Sequence, residues 1–531
     1  MSAIWQILER AERLHPDRAA TLEGRDAADY RRFGARIRRM AAFLRSRGVG
    51  PGERVAILEW NTAAFLEAYF AAAGLGAILV PLNVRLAPPE QARVLAHCGA
   101  RWLLASSGFA DTIGRALEES ETTATLRGIL WLDARPQEPV SRGLGLEEHA
   151  YAALRDAGEP AFEPARVSAS DVAHLYYTSG TTGRPKGVML THGNVTTHAL
   201  AAVAELRIDS TDTWGHFAPL FHLADAWATF AFTWVGARHV LLPRFEPADA
   251  LRTISAERVT ITNLVPAMLN LMVRHPRLGE YDLSSMRAIL SGGAPIAPQV
   301  VRAVSAAFGC EYVQTYGMTE TSPFLTLSLL SPKLRALPPD EQLAWRAKTG
   351  RPFLTVELEV RAEDGSLVSP DGATAGEICV RGPTVMPGYW NDAEATRAAF
   401  DARGFLRTGD LAVLDAEGYV NIVDRKKDMI ISGGEKVYST EIEHVLYRHA
   451  AVLEAAVYGL PDEKWGERVC AAVVLRSGAS AGAAELEAHC RTELAGFKVP
   501  REFRFLDALP RTGSGKITKQ PLRERDGRGR T

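Results

Sequence analysis

The stretch Tyr177-Thr178-Ser179-Gly180-Thr181-Thr182-Gly183-Arg184-Pro185-Lys186-Gly187 gathers hydroxyls, glycines and a lysine into one short loop. Glycine lets successive backbone N–H groups turn toward an anion, the hydroxyls add donors, and the lysine adds charge. That is the chemistry of a phosphate cradle. It is not a Walker A loop, because Gly187 follows Lys186 and the Gly-x4-Gly-Lys spacing is missing. On composition alone, a Gly/Ser/Thr surface turn is an equal alternative. The other candidate residues also have plain readings when taken singly. His222 reads as a satisfied core histidine, Glu320 as a surface acid, Gly409-Asp410 as a turn, Asp424 to Asp428 as a solvated charge cluster, and Lys516 as a solvated lysine in a Gly-rich tail.

Together these segments read differently. The run YTSGTTGRPKGVMLTH resembles the signature loop of the adenylate-forming superfamily, which contains acyl-CoA synthetases, nonribosomal adenylation domains and luciferases. Within it the chain is similar to the acyl-CoA synthetase (fatty-acid–CoA ligase) family, with the principal motifs in family order over nearly the whole length. The resemblance implies that Thr178, Ser179, Gly180, Thr181, Thr182, Gly183 and Lys186 order the phosphates of ATP. Ser291-Gly292-Gly293-Ala294-Pro295 follows a strand-like run, and small residues there let a flat ring approach the backbone. The family lays this segment along the adenine and the acyl group, so Gly293 and Ala294 are expected at the nucleotide and Gly292 and Gly293 at the acid. Thr315 to Thr321 resembles a Tyr-Gly-x-Thr-Glu motif: Tyr316 would stack on adenine beside Gly317, Thr319 would bind the α-phosphate, and Glu320 with Thr181 would hold Mg²⁺. One carboxylate plus phosphate oxygens is ordinary Mg²⁺ chemistry.

Further along, Phe405 to Asp410 resembles the ribose-binding motif, with the Asp410 carboxylate accepting from the ribose hydroxyls. Ile422 to Asp428 resembles the hinge, where Arg425 would contact ribose or phosphate and Lys427 would be the pivot. Ser432 to Tyr438 resembles a loop whose Gly433 and Gly434 wall the pantetheine channel. Pro510 to Ile517 matches the motif of the catalytic Lys516. Ala218-Pro219-Leu220-Phe221-His222 resembles an acyl-pocket segment in which His222, and Trp227 beyond it, border the carboxylate and the pantetheine tunnel. Asp225 departs from that pattern and would make the pocket entrance more polar.

The reaction so implied has two steps, with Mg²⁺ as cofactor and ATP and CoA as co-substrates. A carboxylate attacks the α-phosphorus of ATP to give acyl-AMP and pyrophosphate, with Lys516 and Mg²⁺ opposing the charge on the phosphoryl oxygens. The CoA thiolate then attacks the acyl-AMP carbonyl and releases AMP. In the family a rotation at the hinge exchanges Lys516 for Gly433 and Gly434 between the steps. The Glu320-Thr321-Ser322-Pro323 continuation is closer to fatty acyl-CoA synthetases than to aryl ones, so a medium- or long-chain fatty acid is expected. The alternatives are an aryl or short substituted acid, and transfer to a carrier protein. A non-catalytic nucleotide-binding protein would tolerate loss of Glu320 or Lys516, yet both stand in full motifs. Luciferase-like oxygenation has no support.

The elements that must position these residues alternate between helix-like and strand-like runs. Arg54 to Glu59 and Ala77 to Leu82 flank a helical stretch from Ala63 to Ala73, and Trp102 to Ala105, Ile129 to Leu132 and Ala173 to Tyr177 repeat the theme. Such alternation argues for βαβ units and parallel sheet. Ile261 to Pro266, Ala288 to Leu290 and Glu311 to Gln314 read as strands, and much of Glu118 to Asp171 reads as surface connection. The expected fold is α/β: a large N-terminal domain of mixed and parallel sheets over 1–423, a hinge at 424–428, and a small mobile α+β domain over 429–531. In the last, Ala455 to Tyr458 and Val469 to Leu475 are strand-like and Ala483 to Leu494 is helical.

With 531 residues the chain exceeds one ordinary core. Charge is nearly balanced, 61 Lys+Arg against 63 Asp+Glu, without long runs of one sign, which argues against a nucleic-acid partner. The 5 cysteines are far apart with no CxxC pair, which fits a reducing compartment rather than a disulfide or zinc framework. The N-terminus lacks the apolar core of a signal peptide. Phe65 to Leu82 reads as helix, turn and strand, and Leu223 to Ala237 holds Asp225 and is too short to span a bilayer. A free-standing cytoplasmic enzyme is expected; peripheral lipid contact and a homodimer are compatible with the sequence.

Overall fold

The computed structural model describes residues 3–119, 125–141, 143–158, 161–178, 185–293, 296, 298–433, 435–511 and 517–527. They form two compact units: one from residues 1–357 and 381–404, the other from 358–380 and 405–531. Residues 424–428 lie inside the second unit.

Two sheets build the first unit. One has seven strands in the order Glu147–Ala150, Gly128–Trp131, Trp102–Ala105, Arg54–Leu58, Ile78–Pro81, Val172–Thr178 and Lys186–Thr191. All its pairs are parallel except the hairpin of Val172–Thr178 with Lys186–Thr191. Its inner strands are buried along their length, as parallel strands covered on both faces must be. The connecting helix Ala63–Leu75 is buried on every side and ends on Gly76 in the left-handed region, φ +67°. The expected helix–turn–strand reading of Phe65 to Leu82 is therefore realised, and no described helix is long and apolar enough to cross a membrane.

The other sheet has nine strands. Its centre is a parallel run of Glu311–Gly317, Ala288–Ser291, Ile261–Asn263, Thr213–His216, Arg238–Leu241 and Ala19–Glu23, with antiparallel strands at both edges. Ile289, Tyr312, Leu264 and Phe217 pack with the helices Pro247–Glu257 and Pro298–Phe308 in one apolar core. The segment from 118 to 171 is more than surface connection. Its strand Glu147–Ala150 extends the first sheet, and Arg155 reaches both Glu67 and Asp26 at 2.8 Å. Its arginine thereby supplies a charge partner for the fully buried Glu67.

The second unit contains a four-stranded sheet, Glu357–Arg361, Ala375–Arg381, Leu406–Leu414 and Val420–Arg425, and a five-stranded one. In the latter Val452–Asp462 and Gly466–Leu475 form a long antiparallel pair over the helices Ser439–Arg448 and Ala483–Arg491. Of the cysteines, Cys98, Cys379, Cys470 and Cys490 are buried and Cys310 is half-buried, all as free thiols.

Candidate active site

The chemistry-bearing segments of the first unit share one topological position. Val172–Thr178, Thr213–His216, Ala288–Ser291 and Glu311–Gly317 are parallel-sheet strands, and the predicted loops all leave their carboxyl ends. That is where open α/β sheets bind ligands.

Thr178 and Lys186 are the last cross-strand pair of the hairpin, both half-buried. Ser179, Gly180, Thr181, Thr182 and Gly183 lie outside the described residues. Tyr316 and Gly317 end their strand, and Thr319 and Glu320 enter a single 3-10 turn, Thr319–Thr321. Gly317 is obligatory: a Cβ there would sit 1.9 Å from the Pro323 carbonyl oxygen. Gly292 is equally constrained, since a Cβ would lie 2.4 Å from Thr315 Oγ1 and 2.7 Å from its carbonyl. The close approach that small residues were expected to permit is thus made first by the neighbouring strand. Gly293 is exposed at φ +83°, and Ala294 lies outside the described residues.

Glu320 is almost wholly buried, and its Oε1 accepts a hydrogen bond from the Tyr389 hydroxyl at 2.9 Å. The Lys186 ammonium lies 5.0 Å from the centre of the Tyr389 ring. Two residues predicted from separate motifs are therefore joined by a third that sequence reasoning missed. Its only trace was an aromatic pair, Tyr389-Trp390, behind a glycine. Among the described residues no group of three His, Cys, Asp or Glu side chains could hold a metal. A carboxylate fixed in this way fits Mg²⁺, which is bound through one or two carboxylates and substrate phosphates.

His222 precedes the helix Leu223–Val235 and is half-buried. The chain leading to it is pinned by Asn61, whose amide donates to the carbonyls of His216 at 3.0 Å and Ala218 at 2.7 Å and accepts from the Leu220 N–H at 2.8 Å. Sequence reading missed Asn61 as well. Trp227 is buried among rings, with centroids 5.1 Å from Trp214, 5.0 Å from Phe324 and 5.8 Å from His198. His198 accepts from the Phe324 N–H, and burial pushes its imidazole down to about 3, so it is neutral.

Asp225 is not at a pocket entrance. It is 0 % exposed, because its position in the first helical turn faces the sheet rather than solvent. Its carboxyl meets His216 Nδ1 at 2.5 Å and the Trp214 indole N–H at 3.3 Å. His216 Nε2 meets His239 Nδ1 at 3.0 Å, and His239 Nε2 meets Thr233 Oγ1 at 3.0 Å. Burial holds the Asp225 carboxyl well above the usual carboxylate range and both imidazoles well below theirs. One proton placement then satisfies the chain with no net charge: Asp225 O–H to His216, His216 N–H to His239, His239 N–H to Thr233.

In the second unit Asp410 and Arg425 face each other across the antiparallel ladder, with Arg425 Nε 3.4 Å from Asp410 Oδ1. Lys427 is exposed in the following turn. Asp424 is buried and accepts from the Ser439 N–H at 2.5 Å, while Lys519 bonds the Ser439 hydroxyl and lies 2.8 Å from Glu443. Gly433 has φ +62° and donates to the Trp465 carbonyl at 2.7 Å; a Cβ would lie 2.8 Å from the Trp465 ring. Gly434 and Lys516 lie outside the described residues. Arg511 and Ile517, within the lysine motif, are bridged to each other.

The sequence matches a family model described as AMP-binding enzyme over residues 8–390 and one described as AMP-binding enzyme C-terminal domain over 441–516. It is 38% identical over 527 residues to a feruloyl-CoA synthase of an Amycolatopsis species, covering 98% of each chain. It is 37% identical over 531 residues to a long-chain-fatty-acid–CoA ligase of Thermus thermophilus, covering 98% of this chain and 95% of the other. The fold is similar to that of o-succinylbenzoate CoA synthetase from Bacillus subtilis in complex with its acyl-adenylate intermediate, with TM-score 0.83, 32% identity and 98% of each chain covered.

Proposed function

The chain belongs to the AMP-binding enzyme family, and from that premise we propose that it is an ATP-dependent carboxylate–CoA ligase acting on an apolar monocarboxylic acid through an acyl-adenylate. The observation that carries this reading is the joining of Lys186 and Glu320 through Tyr389 at the carboxyl edge of the sheets, a cation and a carboxylate held together where a metal–triphosphate would need both.

In this reading Lys186 and Thr178 hold the β,γ-phosphates, Tyr316 stacks on the adenine and Thr319 binds the α-phosphate. Mg²⁺, when bound at Glu320 and Thr181, supplies positive charge to the phosphate oxygens. Asn61 fixes the backbone ahead of His222, so that His222 borders the acid's carboxylate as it approaches the α-phosphorus. Asp410 and Arg425 serve the ribose, and their ion pair in the second unit orients the carboxylate for it. Lys516 opposes phosphoryl charge in adenylation, and Gly433 and Gly434 serve CoA in thioester formation, with Lys427 as the pivot of a hinge at 424–428.

For the acid, the fatty-acid reading keeps the support of the Thermus relative and of the Glu-Thr-Ser-Pro continuation. The aryl alternative has the support of the feruloyl-CoA synthase relative, 38% identical over 527 residues. The test is CoA-dependent AMP formation from Mg·ATP across straight-chain acids from acetate to palmitate, with benzoate, cinnamate and a hydroxycinnamate included. A maximum among aryl acids supports the aryl reading; a maximum among long chains refutes it and restores the fatty-acid reading. Adenylation of an acid without CoA transfer would replace CoA by a carrier protein.

A further inference from the structure

Resting on the ATP-dependent reading above, we infer that Tyr389 is a positioning residue for the metal and triphosphate: its hydroxyl fixes the Glu320 carboxylate while its ring face seats the Lys186 ammonium. The geometry has three parts. The phenol donates to Glu320 Oε1 at 2.9 Å, a charge-assisted bond that sets the plane of the carboxylate. The ring lies under Lys186 at 5.0 Å, within the range in which an aromatic face attracts an ammonium. The backbone around Tyr389 is tied to both partners' segments: Trp390 N–H donates to the Gly187 carbonyl at 2.7 Å, Met189 N–H to Gly388 at 3.1 Å, and Met386 N–H to Glu320 at 2.8 Å. The Tyr389 N–H itself donates to Thr396 Oγ1 at 2.9 Å, which holds the strap from behind.

Each contact has a separate consequence. A carboxylate that must receive a small, hard cation with near-ideal geometry loses affinity when its plane is free to turn, because Mg²⁺ demands tight octahedral placement. A lysine on a long flexible stem loses rotamer freedom on meeting phosphate, and a ring that restrains it beforehand lowers that cost. The hydroxyl therefore acts on the metal and the ring on the phosphates.

Two variants separate these roles in the full-length protein. ATP binding is measured by equilibrium dialysis, without metal and over a Mg²⁺ titration, and stoichiometry normalises each value to the folded fraction. Tyr389→Phe keeps the ring and removes the bond; it is expected to raise the half-saturating Mg²⁺ about tenfold or more, and to leave metal-free ATP affinity unchanged. Tyr389→Leu removes the ring too and is expected to weaken metal-free ATP binding as well. A half-saturating Mg²⁺ in Tyr389→Phe within twofold of the wild type overturns the inference, as does an equal loss with and without metal, which would mark a merely structural role. Glu320→Gln distinguishes the underlying reading: if it abolishes the Mg²⁺ dependence and Tyr389→Phe does not shift it, the inference alone fails. If Glu320→Gln leaves the dependence intact, the metal reading at Glu320 fails with it.

Discussion

Replacing Asp225 by asparagine tests whether the buried chain Asp225–His216–His239–Thr233 is neutral. In the neutral form the carboxyl donates to His216 Nδ1 at 2.5 Å and accepts from the Trp214 indole at 3.3 Å. An asparagine amide donates and accepts in the same two places, so Asp225→Asn is expected within about 1 kcal/mol of the wild type. Asp225→Ala leaves His216 Nδ1 and the Trp214 N–H without partners, in side chains with no exposure. At about 1–3 kcal/mol for each orphaned group, its cost is about 2–6 kcal/mol. Equilibrium urea unfolding followed by tryptophan fluorescence reads both variants. Linkage fixes the pH dependence. Asp225 is raised in the fold, so the unfolded chain releases that proton from about pH 4 while the fold retains it, and wild-type stability falls as pH rises. The histidines are lowered, His216 to about 3, so the unfolded chain takes up protons below about pH 6.5 before the fold does, and stability falls as pH drops. Asp225→Asn should lose the first trend and keep the second. A cost for asparagine as large as for alanine would refute the neutral chain, because it would mean an ionised carboxylate beside an imidazolium, whose unpaired survivor costs about 3–5 kcal/mol.

Three other outcomes are expected. Lys516→Ala should lower adenylation about 10²- to 10³-fold yet retain most thioester formation from supplied acyl-AMP; equal loss of both half-reactions would contradict separate roles for the residues serving them. Gly317→Ala places a methyl 1.9 Å from a backbone oxygen, so the turn carrying Tyr316 and Glu320 must shift, and ATP affinity measured by dialysis should fall more than about tenfold; an unchanged affinity would remove this turn from the site. Lys519→Met takes the ammonium from the half-buried Glu443 carboxylate, which keeps the Val457 N–H at 2.8 Å, and the unfolding transition of the second unit should lose about 1–3 kcal/mol, largely restored by adding Glu443→Gln; a loss that the second change does not repair would show that the pair contributes packing rather than charge.

What could be read in advance was local. Strand-length apolar runs such as Trp102–Ala105 and Val172–Thr178 carry their own pattern, and the motif loops carry their own chemistry, so both were legible. Tyr389 was not, because its meaning comes from Glu320, 69 residues away, and from Lys186 on another strand. Asp225 was misplaced for the opposite reason. A carboxylate at a helix start reads as exposed, and only the fold brings His216 and Trp214 from a neighbouring strand to receive it. Asn61 likewise acquires a role only when its strand end meets the segment before His222.

The buried cysteines bear on an enzyme whose second substrate is itself a thiol. An acyl-adenylate is a strong acyl donor, and any thiolate within reach would compete with CoA for it. Burial pushes Cys98 and Cys310 up to about 12 and Cys470 and Cys490 up to about 11, which keeps them protonated at neutral pH. A protonated thiol is a poor nucleophile, so these four are expected neither to capture the activated acyl group nor to exchange with CoA disulfide. Activity should therefore survive mild thiol-directed alkylation that would disable a cysteine-dependent acyltransferase.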